Sequence, residues 1–90
     1  MPTTRGFCIF IDTICDGPTP IERDGEGKIV IYKVIEDAQR EIAEIVMERL
    51  SLFVEGGYAF ADAMSPEEFI VEVSSFPDGS ILDAAGKIYI

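Results

Sequence analysis

The stretch Glu36–Val54, EDAQREIAEIVMERLSLFV, is the one segment of this 90-residue chain long and periodic enough to dictate a structure by itself. At 100° per residue, Ala38, Ile42, Ala43, Ile45, Val46, Met47, Leu50, Leu52, Phe53 and Val54 cover more than half the circumference of a helix. Asp37, Glu41, Glu44 and Glu48 share the narrow strip that remains. A helix lying on a core needs an apolar stripe only a little over ~100° wide. This one therefore has apolar surface to spare, at Ala43, Met47 and Val54 on one flank and Leu52 on the other, and a second copy of the chain is expected to cover part of it. Glu36 and Asp37 suit the positive end of the helix macrodipole, and Gly56-Gly57 marks a left-handed cap.

The flanking segments read as strands and turns. Phe7–Ile14, FCIFIDTI, is short, β-branched and aromatic, which predicts a first strand. Asp16, Gly17, Pro18, Pro20, Asp24, Gly25 and Gly27 then break regular structure, predicting a long loop over Cys15–Lys28 with a hairpin turn at Asp24-Gly25. Lys28–Ile35, KIVIYKVI, alternates with apolar side chains on both faces, the pattern of a central second strand. After the helix, Tyr58–Met64 has no clean period and reads as an ordered connection or a fragment of helix. Ser65-Pro66-Glu67-Glu68 has the form of a capping box opening one helical turn. Phe69–Phe76 returns to strand alternation, and Phe76-Pro77-Asp78-Gly79 has the residues of a type I turn closing a hairpin. Asp83-Ala84-Ala85-Gly86 repeats that device before a last short strand, Lys87–Ile90. The expected order is β-β-α-β-β: a single α+β domain over residues 1–90, with about four strands in an antiparallel or mixed sheet and one long helix packed across it.

Composition removes most chemistry. The chain has no histidine, hence no usual general base, no His-based zinc ligand and no Ser-His or Cys-His pair. Cys8 and Cys15 are seven residues apart, do not form a Cys-x-x-Cys pair, and read as free thiols or as a hairpin disulfide. The acids around Asp12, Asp16, Asp24 and Glu26 fail the calcium-loop pattern, and Asp24-Gly25-Glu26-Gly27-Lys28 resembles a phosphate loop only superficially, since its two acids would repel a phosphate. No catalytic residue, cofactor or metal is expected, and the chain is read as a binding protein rather than an enzyme. The opening MPTTRG lacks the charged-then-apolar pattern of a secretory signal, and no apolar run reaches the ~18 residues of a membrane span. A reduced, cytoplasmic setting with no membrane contact is expected.

Charge remains as the positive clue. Asp and Glu number 17 against 7 Lys and Arg, a net charge of −10 on a 90-residue chain. Such a charge destabilises the compact state, keeps nucleic acid away and draws in cationic partners. Asp37, Glu41, Glu44 and Glu48 are spaced 4, 3, 4, so each lies about one turn, ~5.4 Å, from the next. Two readings stand: a solvated helix face, or a row of carboxylates imitating a nucleic-acid backbone. Glu55, Asp62, Glu67 and Glu68 extend the acidic surface around Tyr58, Phe60 and Met64, which are either core or an apolar anchor ringed by acids. In size and acidity the chain resembles the small inhibitors, anti-CRISPR proteins among them, that phages and mobile elements direct against nucleic-acid-binding defences. That resemblance covers no motif and implies a function class without a fold: a DNA mimic that binds a basic nucleic-acid-binding protein or complex and does not contact nucleic acid itself. The alternative is a homo-oligomeric structural or assembly module whose charge serves solubility.

Overall fold

The computed structural model describes residues 3–57, 59–64 and 67–90. Five strands and two helices follow in the order β1 (Thr4–Thr13), β2 (Gly17–Pro20), α1 (Ile35–Val54), α2 (Phe60–Met64), β3 (Phe69–Ser75), β4 (Ile81–Leu82) and β5 (Ile88–Tyr89). The strands form one antiparallel sheet in the order β2-β1-β3-β4-β5, with α1 lying against β1 and β3. The α+β class expected from the sequence holds, with one strand more than the four expected.

Two segments ahead of the helix depart from expectation. The predicted loop after Cys15 contains an edge strand, β2, built from Gly-Pro-Thr-Pro. Ile21 N–H donates to Ile9 O, so alternate residues of this strand, Thr19 among them, turn their N–H groups toward β1. Pro18 and Pro20 occupy the intervening positions, where no ladder donor is required. Conversely, Lys28–Ile35 is not the expected central strand. It forms isolated bridges, Arg23 with Ile29 and Phe7 with Tyr32, and so returns to the same edge of β1 that β2 covers farther along. Its apolar residues are used nonetheless, because Ile29 is buried and Ile31 packs beside it.

One turn design closes three hairpins. In Asp24–Lys28, Phe76–Ser80 and Asp83–Lys87 the first N–H donates to the fifth carbonyl, and the N–H of the fourth residue, a glycine, donates back to the first carbonyl. Gly27, Gly79 and Gly86 have φ of +82°, +92° and +89°, values open to glycine without steric cost, as a type I turn followed by a bulge requires. Asp24 and Asp83 reinforce their loops, each carboxylate accepting two backbone N–H groups.

The main core lies on one face of the sheet, where Cys8, Phe10, Val73, Ile81 and Tyr89 join Ile29. Phe10 and Tyr89 meet edge to face at 5.1 Å although β1 and β5 are three strands, ~14 Å, apart along the sheet. The sheet therefore coils around this cluster and brings its ends together: Arg23 Nη2 donates to Ile90 O at 2.8 Å, and Lys87 Nζ reaches Asp16 O at 3.4 Å. The opposite face of β1 presents Ile9 toward α1, whose single fully buried residue is Ala38.

Helix α1 ends as expected. Gly56 N–H donates to Phe53 O and Gly57 N–H to Leu52 O, the paired bonds of a Schellman cap. The expected connection over Tyr58–Met64 contains the short helix α2. Tyr58 and the Ser65-Pro66 half of the expected capping box lie outside the described residues. Glu67 and Glu68 are not helical and lead directly into β3. Because α1 runs ~30 Å at 1.5 Å per residue, the molecule is elongated, 49 × 27 × 23 Å, with a radius of gyration of 14.6 Å where a compact chain of this length has about 12 Å.

Candidate acidic interaction surface

Helix α1 has three faces. Ala38, Ile42, Ile45 and Arg49 face the body of the protein, Asp37, Glu41, Glu44, Glu48 and Glu55 form the acidic strip, and Ala43, Met47, Leu50 and Val54 line the third. Asp37, Glu44, Glu48 and Glu55 are exposed, and Arg40 lies 3.8 Å from Asp37.

Folding adds a carboxylate that sequence spacing does not show. After β2 the chain carries Glu22 up to α1, where it lies beside Glu41 and Glu44. Tyr32, held opposite Phe7 by reciprocal backbone bonds of 2.8 Å, donates its hydroxyl to Glu22 Oε1 at 2.8 Å. Burial first, and then the charges of Glu22 and Glu44, raise the Glu41 carboxyl above its ordinary value. The Tyr32 phenol is pushed up as well, by burial and by its bond to Glu22. Three carboxylates, Glu22, Glu41 and Glu44, thus meet on this stretch of surface. Among the described residues, no three acids or cysteines are arranged to hold a metal ion.

The expected extension divides. Glu55 caps the helix and is exposed, Glu67 is exposed, and Phe60 is more than half exposed with its ring against Phe53 at 5.2 Å. Glu68 is turned inward: its side chain is only 4% exposed and forms a two-pronged ion pair with Arg49, one contact being 3.1 Å from Nη1 to Oε2. Burial alone would raise the Glu68 pKa, but the hydrogen bond and charge of Arg49 hold it below the ordinary value. It is unavailable to a partner in this arrangement. Asp62 lies in α2, its side chain outside the described ones, as is Tyr58.

The remaining chemical candidates have structural roles. Asp24 organises its hairpin loop, while Cys8 is buried with its thiol pushed up to about 11 by burial and then by Glu22, far from thiolate chemistry. Cys15 is exposed on the turn between β1 and β2, and both cysteines are free. No helix among the described residues is long and apolar enough to cross a membrane. The chain matches no protein-family model, no curated protein and no solved structure.

Proposed function

We propose that this protein acts by stoichiometric binding, presenting the acidic face of α1 to the basic nucleic-acid-binding groove of a larger protein. The observation that supports this reading is the convergence of Glu22, Glu41 and Glu44 beside one another on the surface of α1. Repulsion among these carboxylates costs stability in the free protein, and Lys and Arg from a partner would remove that cost on binding. Asp37, Glu44 and Glu48 continue the charge along the helix, with Glu55 and Glu67 at its far end. Such a protein would be a DNA-mimic inhibitor, of use to a phage or mobile element against a nucleic-acid-binding machine, and would need neither catalysis nor a cofactor.

Competition tests the reading. A partner captured from host lysate is loaded with labelled DNA or RNA, and the protein is titrated in at two salt concentrations. Displacement should be stoichiometric, should weaken steeply above ~0.1 M salt where exposed charges are screened over ~10 Å, and should be lost on combining Glu41→Lys with Glu44→Lys. Nucleic acid that stays bound at saturating protein, or displacement untouched by the double substitution, rejects mimicry. The exposed third face of α1 favours a second reading, an assembly module, in which Glu41→Lys alone leaves all association unchanged.

A further inference from the structure

The third face of α1 has a definite spacing. Ala43, Met47, Leu50 and Val54 are separated by 4, 3 and 4 residues, the repeat that makes one helix pack along another, and Val46 and Phe53 widen it on one side. None of these six is buried: Val54 is 81% exposed, Met47 59% and Phe53 37%, while Leu50 and Val46 are half-buried. Within one chain, α1 covers its sheet with another face; α2 reaches the Phe53 edge of this one, where Phe60 lies against Phe53, and Ala43, Met47 and Val54 stay exposed.

We infer that a second copy of the chain packs on this face, α1 against α1 in antiparallel orientation about a twofold axis between Glu48 and Arg49. Only that centre pairs the stripe with itself layer by layer. Met47 of one copy meets Leu50 of its partner, and the small Ala43 meets Val54, so every layer has similar volume. The residues beside the seam agree. On one side Val46 approaches the partner's Phe53, apolar on apolar. On the other, Glu44 approaches the partner's Ser51, so no carboxylates oppose one another across the axis. A parallel pairing would instead stack Ala43 on Ala43 and Met47 on Met47, leaving the layers uneven.

The area is of the right order. Taking ~200 Å² for a large side chain, the exposed fraction of the stripe is roughly 400 Å² per copy, and the flanking Gln39, Arg40, Glu44 and Ser51 carry the pair toward the ~1,200 Å² at which specific interfaces begin. The antiparallel arrangement also sets both acidic strips on the same side of the seam. The partner copy thereby contributes its own Glu44 and Glu48 to one continuous acidic surface about twice the length of a single strip. The pairing itself does not depend on what that surface binds.

Two measurements test it. Sedimentation equilibrium at about 100 µM, above the micromolar end of interfaces this size, should give twice the mass of one chain, and Val54→Arg, at an exposed position, should give a single chain with an unchanged circular dichroism spectrum. The register is tested by mild oxidation in a Cys15→Ser background. Ala43→Cys with Val54→Cys should form a covalent dimer readily. Either cysteine alone should link at least tenfold more slowly, because two copies of one position lie ~16 Å apart along antiparallel helices. A single-chain mass for the unsubstituted protein, a dimer unaffected by Val54→Arg, or single cysteines that link as fast as the pair would each overturn the inference. None of these outcomes bears on nucleic-acid displacement, which stands or falls separately.

Discussion

Glu41 is where the cost of the acidic surface can be measured on one side chain. Its pKa is raised in the folded protein, so between that value and the ordinary 4.5 the native state binds more proton than the unfolded chain. Stability contributed through this group therefore increases as pH falls through its folded pKa and is absent at neutral pH, the reverse of a salt-bridged acid. Glu41→Gln removes the repulsion from Glu22 and Glu44 and keeps the side-chain shape. The variant should unfold at higher urea than the parent at pH 7, with the gap closing as pH falls toward 4.5. Urea titration at both pH values checks it, and a variant less stable at pH 7 would mean that these carboxylates are held by favourable contacts. The cluster itself was not legible in the sequence. Glu41 and Glu44 stand four-three on one strip, but Glu22 joins them only because the chain crosses back to the β1 edge at Tyr32, a tertiary event. Glu68 was misleading in the same way, since its sequence neighbours are acids while its partner in space is Arg49.

Among the elements, α1 was readable to within a residue at its N-terminus because its period, acidic first turn and Gly-Gly stop all agree. Strand β2 was hidden by composition, since two prolines and a glycine in four residues signal a loop unless the N–H positions they leave free are known to face an open edge. Lys28–Ile35 misled in the other direction: its alternation is real, but an excursion through the Asp24–Lys28 hairpin leaves it only bridges. The signal that was available is the repeated pattern Asp-x-x-Gly-Lys, which occurs as DGEGK and DAAGK and gives the same loop twice. In the second loop Asp83 accepts from the N–H groups of Ala85 and Lys87 and from the hydroxyl of Tyr89 at 2.8 Å, and these bonds, that of the Lys87 backbone foremost, hold its pKa below the ordinary value. A depressed folded pKa contributes stability above the ordinary carboxylate range and loses it as pH falls through the folded value. Asp83→Ala should thus lower the urea midpoint of the protein at pH 7, because the loop loses an acceptor of three hydrogen bonds and the Tyr89 hydroxyl loses this partner. The penalty should shrink at strongly acid pH. Parallel urea titrations of parent and variant decide it, an equal penalty at both pH values being the contrary result.

At the scale of the whole molecule the two kinds of charge effect have opposite signs, and salt separates them. Most of the seventeen acids lie on a surface with few cations, and the ion pairs Arg5–Glu72, Lys28–Glu26 and Arg40–Asp37 are exposed, so each contributes little. Self-repulsion at −10 therefore outweighs these pairs. Raising salt from about 20 to about 200 mM shortens the screening length from roughly 20 Å to roughly 7 Å, less than the width of this protein but longer than a contact pair. The folded state should gain stability over that range, seen as a rise in Tm, while binding to a basic partner weakens. Antiparallel pairing of α1 sharpens the expectation, because it joins two acidic strips on one side of the seam, and their mutual repulsion is relieved by the same salt. The rise in Tm should accordingly be larger for the paired protein than for Val54→Arg. Thermal melts of both proteins at matched protein concentration across the salt series read this directly. A Tm that falls with salt would place the net electrostatic contribution in favourable ion pairs, and would remove the reason to regard the acidic face of α1 as a surface that needs a cationic partner.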